Sequence, residues 1–270
     1  MKKLAAALAL SLLPLAFAAQ AEITTTDVVG RKVTVPDVPK RVVLGFYYED
    51  YLAIAGPGSL DRVVGLSLTT WKDWRPKQFA AYEKALPKLK TLPDVGSTDD
   101  NTFSIEKLIA TKPDLLILAT FSYEALGESV KQIEAAGIPV LVLDYLSQTV
   151  DKHVASTLAL GKIMGQEKRA QELADNYRKA FEDIDARIKK AGPTKKKVYF
   201  ELAQKGASEV GNSYGNSMWG ALVTRLGGHN IADGQVGNWG PLSPEYVLSQ
   251  KPDLIFLAGS EWLNKPQSVQ

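Results

Sequence analysis

One fifteen-residue stretch occurs twice in this chain. Ser104-Ile-Glu-Lys-Leu-Ile-Ala-Thr-Lys-Pro-Asp-Leu-Leu-Ile-Leu118 aligns with Ser243-Pro-Glu-Tyr-Val-Leu-Ser-Gln-Lys-Pro-Asp-Leu-Ile-Phe-Leu257, with seven of fifteen positions identical and an offset of 139 residues. The offset far exceeds the roughly 20 to 50 residues of a solenoid repeat, so the repeat implies two related lobes. Each copy reads the same way. A Ser caps a short helix, a Glu sits near the helix's positive end, and Lys-Pro-Asp stops the helix and launches a buried strand.

The rest of the sequence agrees with paired α/β units. Arg41 to Gly45, Val63 to Leu66, Leu115 to Ala119 and Val140 to Leu143 are short, β-branched, apolar runs that read as buried strands. Glu49 to Ala55, Phe79 to Ala85, Ser104 to Thr111 and Leu126 to Ala136 read as helices between them, which predicts a mostly parallel sheet. Leu173, Tyr177, Phe181, Ile184 and Ile188 then form one apolar stripe, predicting a helix from Glu167 to about Lys190 that packs against both lobes. Gly192-Pro193 ends it, and a strand from Val198 to Leu202 opens the second unit. The expected layout is a leader over 1–21, an N-terminal α/β lobe over 22–148, an interlobe helical segment over 149–192 and a C-terminal α/β lobe over 193–270. After Leu257 only thirteen residues follow, against a further helix and strand after Leu118, so the second lobe is expected to be incomplete.

The first residues point to export. Lys2 and Lys3 precede an apolar run from Leu4 to Ala18, and Ala19-Gln20-Ala21 supplies the small-x-small pattern of a cleavage site. The run is shorter than the ~20 residues of a membrane span. Those two lysines are the only charges in residues 1–21, leaving 30 basic against 30 acidic residues in the mature chain. Such a balance gives no reason to expect nucleic acid as a partner. Zero Cys excludes disulfides, thiolate metal sites and a lipid-modified terminal Cys, and His153 and His229 alone are too few for a bare transition-metal site. No resident cofactor is expected, since neither GxGxxG nor GxxxxGK[ST] occurs. A Gram-negative periplasm is the expected address.

Several further motifs stand in order: Thr26-Asp27-Val-Val-Gly30-Arg31-Lys-Val-Thr-Val-Pro36, Pro39-Lys40-Arg41-Val42-Val43, Asp61-Arg62-Val-Val-Gly65, and Leu92-Pro93-Asp94-Val95-Gly96. Together they resemble the periplasmic substrate-binding proteins of ABC importers for iron-siderophores, haem and cobalamin, over essentially all of Glu22 to Gly259. The resemblance implies two Rossmann-like lobes joined by one long helix, ligand in the cleft between them, and a monomer that delivers its cargo to a dimeric permease in the inner membrane. It also implies permease docking through one Glu on each lobe, which here are Glu106 and Glu245.

Aromatic residues with some cationic ones fall in segments expected to be loops after the strands, where open α/β sheets hold ligands. The candidate ligand-binding residues are Tyr47, Tyr48, Trp71, Lys72, Trp74, Arg75, Tyr123 and Tyr145 in the first lobe, with Tyr214 and Trp239 in the second. Rings suit stacking on a planar chelate, and Lys72 and Arg75 suit its negative oxygens. A ferric siderophore fits this description; haem and cobalamin are the alternatives within the family. A hydrolase using Ser213 or Ser217 with His229 is the competing class, but no nucleophile elbow is expected and neither His has an orienting acid at a motif spacing.

Overall fold

The computed structural model describes residues 22–192, 194, 196–202 and 212–258, so the leader lies outside the described residues. An antiparallel hairpin opens the chain, β1 (Ile23–Thr26) against β2 (Lys32–Val35). The first lobe is then built on β3 (Val42–Leu44), β4 (Val63–Leu66), β5 (Leu115–Ala119) and β6 (Val140–Leu143), all parallel, in the order β4-β3-β5-β6. Helices cover both faces: α1 (Tyr48–Ala55), α2 (Leu68–Trp74), α3 (Pro76–Ala85), α4 (Ile105–Ala110), α5 (Thr120–Leu126) and α6 (Ser129–Ala135).

The continuous apolar runs of β5 and β6 follow from this double cover. Leu115, Ile117, Ala119, Leu141 and Leu143 pack on one face with Tyr48, Tyr51 and Leu160. Leu116, Leu118, Val140 and Val142 pack on the other with Leu108, Val130 and Ile133. Every residue of β5 and β6 is buried.

Next come α7 (Val150–Ile163) and α8 (Glu167–Ala191), which fold back on one another across a turn at Met164 to Gln166. The long helix expected from the apolar stripe is therefore present, but it is the second arm of a helical hairpin. Its stripe is also less covered than expected: Ala170 and Ala174 are its buried residues, while Ile184 is 37% exposed. The distal half rests instead on polar and aromatic contacts. The Arg225 guanidinium lies 4.4 Å from the Phe181 ring centroid and pairs twice with Asp185, at 3.1 and 2.6 Å.

The second lobe contains β7 (Lys197–Leu202), β8 (Asn212–Tyr214), α9 (Met218–Arg225), β9 (His229–Asn230), β10 (Trp239–Pro241), α10 (Pro244–Gln250) and β11 (Leu254–Ala258). Its parallel sheet has the order β11-β7-β9, and β8 pairs antiparallel with β10.

The sequence repeat is also a structural one. Ser104 Oγ accepts the Lys107 amide at 3.2 Å, and Ser243 Oγ accepts the Tyr246 amide at 3.1 Å, capping α4 and α10 alike. Both helices end on a left-handed lysine, Lys112 and Lys251, each with φ of 48°. The aspartate of each Lys-Pro-Asp does more than start a strand. Asp114 accepts the Lys40 and Arg41 amides at 2.8 Å, and Asp253 accepts the Lys197 amide at 2.7 Å. Each carboxylate thereby ties its own strand to the start of the neighbouring one, β3 or β7.

Candidate ligand site

The chain enters the first sheet at β3, moves outward to β4, then crosses to β5 on the other side. The strand order therefore reverses between β3 and β5, and the crevice at the carboxyl ends of these strands is where such a sheet receives a ligand. A cavity of about 190 Å³ lies in this region, lined by residues 46–50 after β3, Thr70, Trp71 and Arg75 after β4, and Tyr145, Leu146 and Gln148 after β6. Met218, the first residue of α9, closes it from the second lobe. The Met218 amide donates to the Leu146 carbonyl at 3.2 Å, a backbone bond between the lobes.

The wall is aromatic and internally braced. Tyr48 stacks on Trp71 with centroids 4.6 Å apart and planes 8° from parallel, and its hydroxyl donates to the Ser67 carbonyl at 2.6 Å. Tyr47 meets Phe46 and Tyr145 edge-on at 5.1 and 4.9 Å, and the Tyr145 amide donates to the Tyr47 hydroxyl at 3.1 Å. Burial pushes the phenols of Tyr47, Tyr48 and Tyr145 well above their ordinary range, so they remain protonated. Asp144 anchors the loop after β6 by accepting the Leu146 and Ser147 amides at 3.1 and 2.9 Å and Lys152 Nζ at 2.9 Å. Although burial works against its ionised form, the bonds from Ser147 and Lys152 hold its carboxyl below the usual range.

Three lining residues, Tyr47, Gln148 and Met218, have left-handed backbone with φ of 57°, 55° and 47°. A side chain bearing a Cβ adopts that conformation at a cost of about 1 kcal/mol or more, and such residues gather where a site must hold a fixed shape.

Of the residues singled out in the sequence, Tyr47, Tyr48, Trp71, Arg75 and Tyr145 line this cavity; Lys72, Tyr123, Tyr214 and Trp239 do not. The stretch from Trp71 to Trp74 is helical, not a loop, because Asp94 holds the start of α2 by accepting the Leu68 amide at 3.1 Å and the Thr69 hydroxyl at 3.0 Å. Lys72 is exposed on this helix, and for Trp74 only the backbone is described. Tyr123 likewise lies on a helix, α5, with the Arg31 guanidinium 4.7 Å from its ring centroid. Tyr214 and Trp239 oppose each other across the β8–β10 pair, and Trp239 is 56% exposed. Arg75 stands 3.6 Å from Glu49, whose carboxylate also accepts the Trp71 indole N–H at 3.0 Å. Its charge is therefore shared with an acid, not held free for a ligand.

Asp50, Gln148 and Met218 are among the other lining residues, and spacing along the chain gives no sign that they converge. One Gly-x-Ser-x-Gly spacing does exist in the chain, Gly211 to Gly215. Its Ser213 lies within strand β8, fully buried, with no hydrogen-bond partner for its hydroxyl among the described residues. A nucleophile elbow instead presents its Ser on an exposed strand-to-helix turn.

Comparison with known proteins agrees with the two-lobed fold. The family model described as "Periplasmic binding protein" matches residues 43–269. The chain belongs to that family. It is a periplasmic binding protein of the kind that serves ABC importers. The crystal structure of the TroA-like periplasmic binding protein FepB from Veillonella parvula superimposes with a TM-score of 0.78 at 31% identity, over 92% of this chain and 73% of that one. The uncharacterized ABC transporter substrate-binding lipoprotein YvrC of Bacillus subtilis is 26% identical, over 86% of this chain and 68% of that protein. The molybdate-binding protein MolA of Haemophilus influenzae is also 26% identical, over 90% of this binding protein and 70% of its own length.

Proposed function

We propose that this binding protein is exported to a Gram-negative periplasm by residues 1–21, binds a ferric siderophore-type iron complex in its interlobe cleft, and hands it to a dimeric inner-membrane permease. The observation that carries this reading is the aromatic wall of Phe46, Tyr47, Tyr48, Trp71 and Tyr145 at the strand-order reversal, closed by Met218 of the opposite lobe. Rings braced against one another lose little freedom when a flat or greasy chelate settles on them, so their contact area is available as affinity. The lack of an acid at a motif spacing from either His, with Ser213 buried, supports a carrier rather than a hydrolase. Titration of tryptophan fluorescence with ferric hydroxamates, ferric catecholates, haem and cobalamin tests the ligand class. Saturable quenching by iron chelates supports the reading, and quenching by haem or cobalamin alone overturns it in favour of a carrier of those ligands.

Docking follows from the repeat. Glu106 and Glu245 are both exposed, and each is the second residue of its capped helix, α4 or α10. Matching carboxylates on two related lobes suit a two-fold partner presenting arginines, to which each can bond in bidentate fashion. Replacing both with Ala is expected to abolish uptake in cells while leaving ligand affinity in solution near wild type. An equal loss of ligand binding would return both residues to a capping role.

A further inference from the structure

The charges around the cavity are unevenly matched. Among the described residues, Glu49, Asp50 and Arg75 are the charged ones that line it, and Arg75 is engaged with Glu49. Asp50, in the first turn of α1, has no ion pair and accepts no side-chain hydrogen bond among the described residues; its own backbone amide is the donor nearest to satisfying it. The groups facing it from the other elements are the Arg75 guanidinium, whose charge also reaches Asp50 although its ion pair is with Glu49, the Tyr47 phenol, the Tyr145 phenol after β6, and the uncharged Gln148 and Met218. No described lysine enters the lining, and Lys152 is committed to Asp144 at 2.9 Å.

We propose that this cavity is a subsite for a cationic arm of the chelate, an ammonium or guanidinium held by the Asp50 carboxylate, so that the protein prefers chelates bearing such an arm over anionic ones. The inference rests on the reading of the cleft as a chelate site and specifies which chelates it takes. Asp50 is half-buried; a carboxylate partly withdrawn from water with no ion-pair partner of its own is costly, and a ligand cation offsets that cost on arrival. The rings of Tyr47, Tyr48, Trp71 and Tyr145 add cation–π attraction to the same charge. Size points the same way. A cavity of about 190 Å³ is smaller than the roughly 300–1,000 Å³ that encloses a whole small molecule, so it admits a pendant group while the bulk of the chelate rests at the mouth. Burial, and then the charge of Glu49, push the Asp50 carboxyl up to about 6, as expected of an acid awaiting a counter-charge.

The test is calorimetric titration of the 270-residue protein with three ferric tris-hydroxamates that differ only in the terminal arm. They are ferrioxamine B with its free ammonium, its N-acetyl form, which is neutral there, and its N-succinyl form, which is anionic. At pH 7.5 the ammonium form should bind about tenfold to a hundredfold more tightly than the acetyl form, with the succinyl form weakest. Asp50→Asn, close to isosteric, should shrink that preference to within about threefold. In the wild type the preference should also shrink between pH 7.5 and 5, because protons compete with the arm for the carboxylate. Equal or tighter binding of the succinyl form, an undiminished preference in Asp50→Asn, or tight binding of a trianionic ferric catecholate in place of the hydroxamates would overturn the cationic subsite while leaving the chelate reading intact. If no iron chelate of any charge binds, the chelate reading itself fails, and the subsite with it.

Discussion

Gly161→Ala is expected to destabilise the protein by about 2 kcal/mol, and Ala170→Gly in the same chain to restore most of the loss. Gly161 lies in α7 where α8 crosses closest, and a Cβ built there falls 2.1 Å from the Ala170 Cβ. Alanine in a helix is worth about 1 kcal/mol more than glycine, so propensity alone would make this a stabilising change. Overpacking a close helix contact costs typically 1–3 kcal/mol and occasionally more, which outweighs that gain. With glycine at 170 the next atoms from the new Cβ are the Gln166 carbonyl oxygen at 3.3 Å and the residue 170 Cα at 3.5 Å, a contact the helices can absorb. The two propensity changes then cancel, and the double variant should return to within about 1 kcal/mol of wild type. Urea unfolding of the four proteins in the cycle measures the coupling. Additive losses would mean that α7 and α8 are not held together through this pair.

Acidification is expected to weaken the wild type more than His153→Phe, by about 2 kcal/mol between pH 7.5 and pH 5. His153 of α7 is stacked on Tyr177 of α8 at 3.6 Å and 10°, and meets Tyr145 edge-on at 4.7 Å. Its Nδ1 is buried with no partner among the described residues. Burial lowers its pKa to about 4, against 6.5 for the free side chain, so the folded protein holds the neutral ring. As pH falls below 6.5 the unfolded chain takes up a proton that the folded chain refuses, and stability is lost progressively until about pH 4, where the loss levels off near ~3 kcal/mol. Phenylalanine keeps the ring contacts and removes the titration. Equal midpoint shifts in the two proteins, with unchanged denaturant slopes, would show that His153 titrates freely. Because Tyr145 lines the cavity, this ring chain also gives the helical hairpin a direct hold on the ligand site.

Much of this architecture is written in contiguous sequence. Leu115 to Ala119 and Val140 to Leu143 are apolar throughout because helices cover both faces of their sheet, and strands of that kind stand out as unbroken runs. The fifteen-residue repeat fixed the relation of the two lobes, and its caps and left-handed lysines recur in three dimensions. The features that contiguous sequence does not show depend on partners far along the chain. Helix α2 begins with Leu-Thr-Thr-Trp, a poor helical start, and exists because Asp94 satisfies its first turn from 26 residues away. Asp50 stands in the first turn of α1, where the dipole favours an acid, and nothing in its spacing sets it apart. Its place in the cavity appears only once Arg75 is seen to be taken by Glu49. Met218 reaches the site by closing on Leu146 from the other lobe, a contact that no local pattern encodes.

Hydrogen–deuterium exchange of the protein with and without its tightest-binding chelate tests most directly whether cargo sits in the interlobe cleft. Protection should concentrate in residues 46–50, 145–148 and around Met218, the segments that line the cavity from both lobes. Protection confined to one lobe's outer helices, or absent from all three segments despite saturating ligand, would contradict the account.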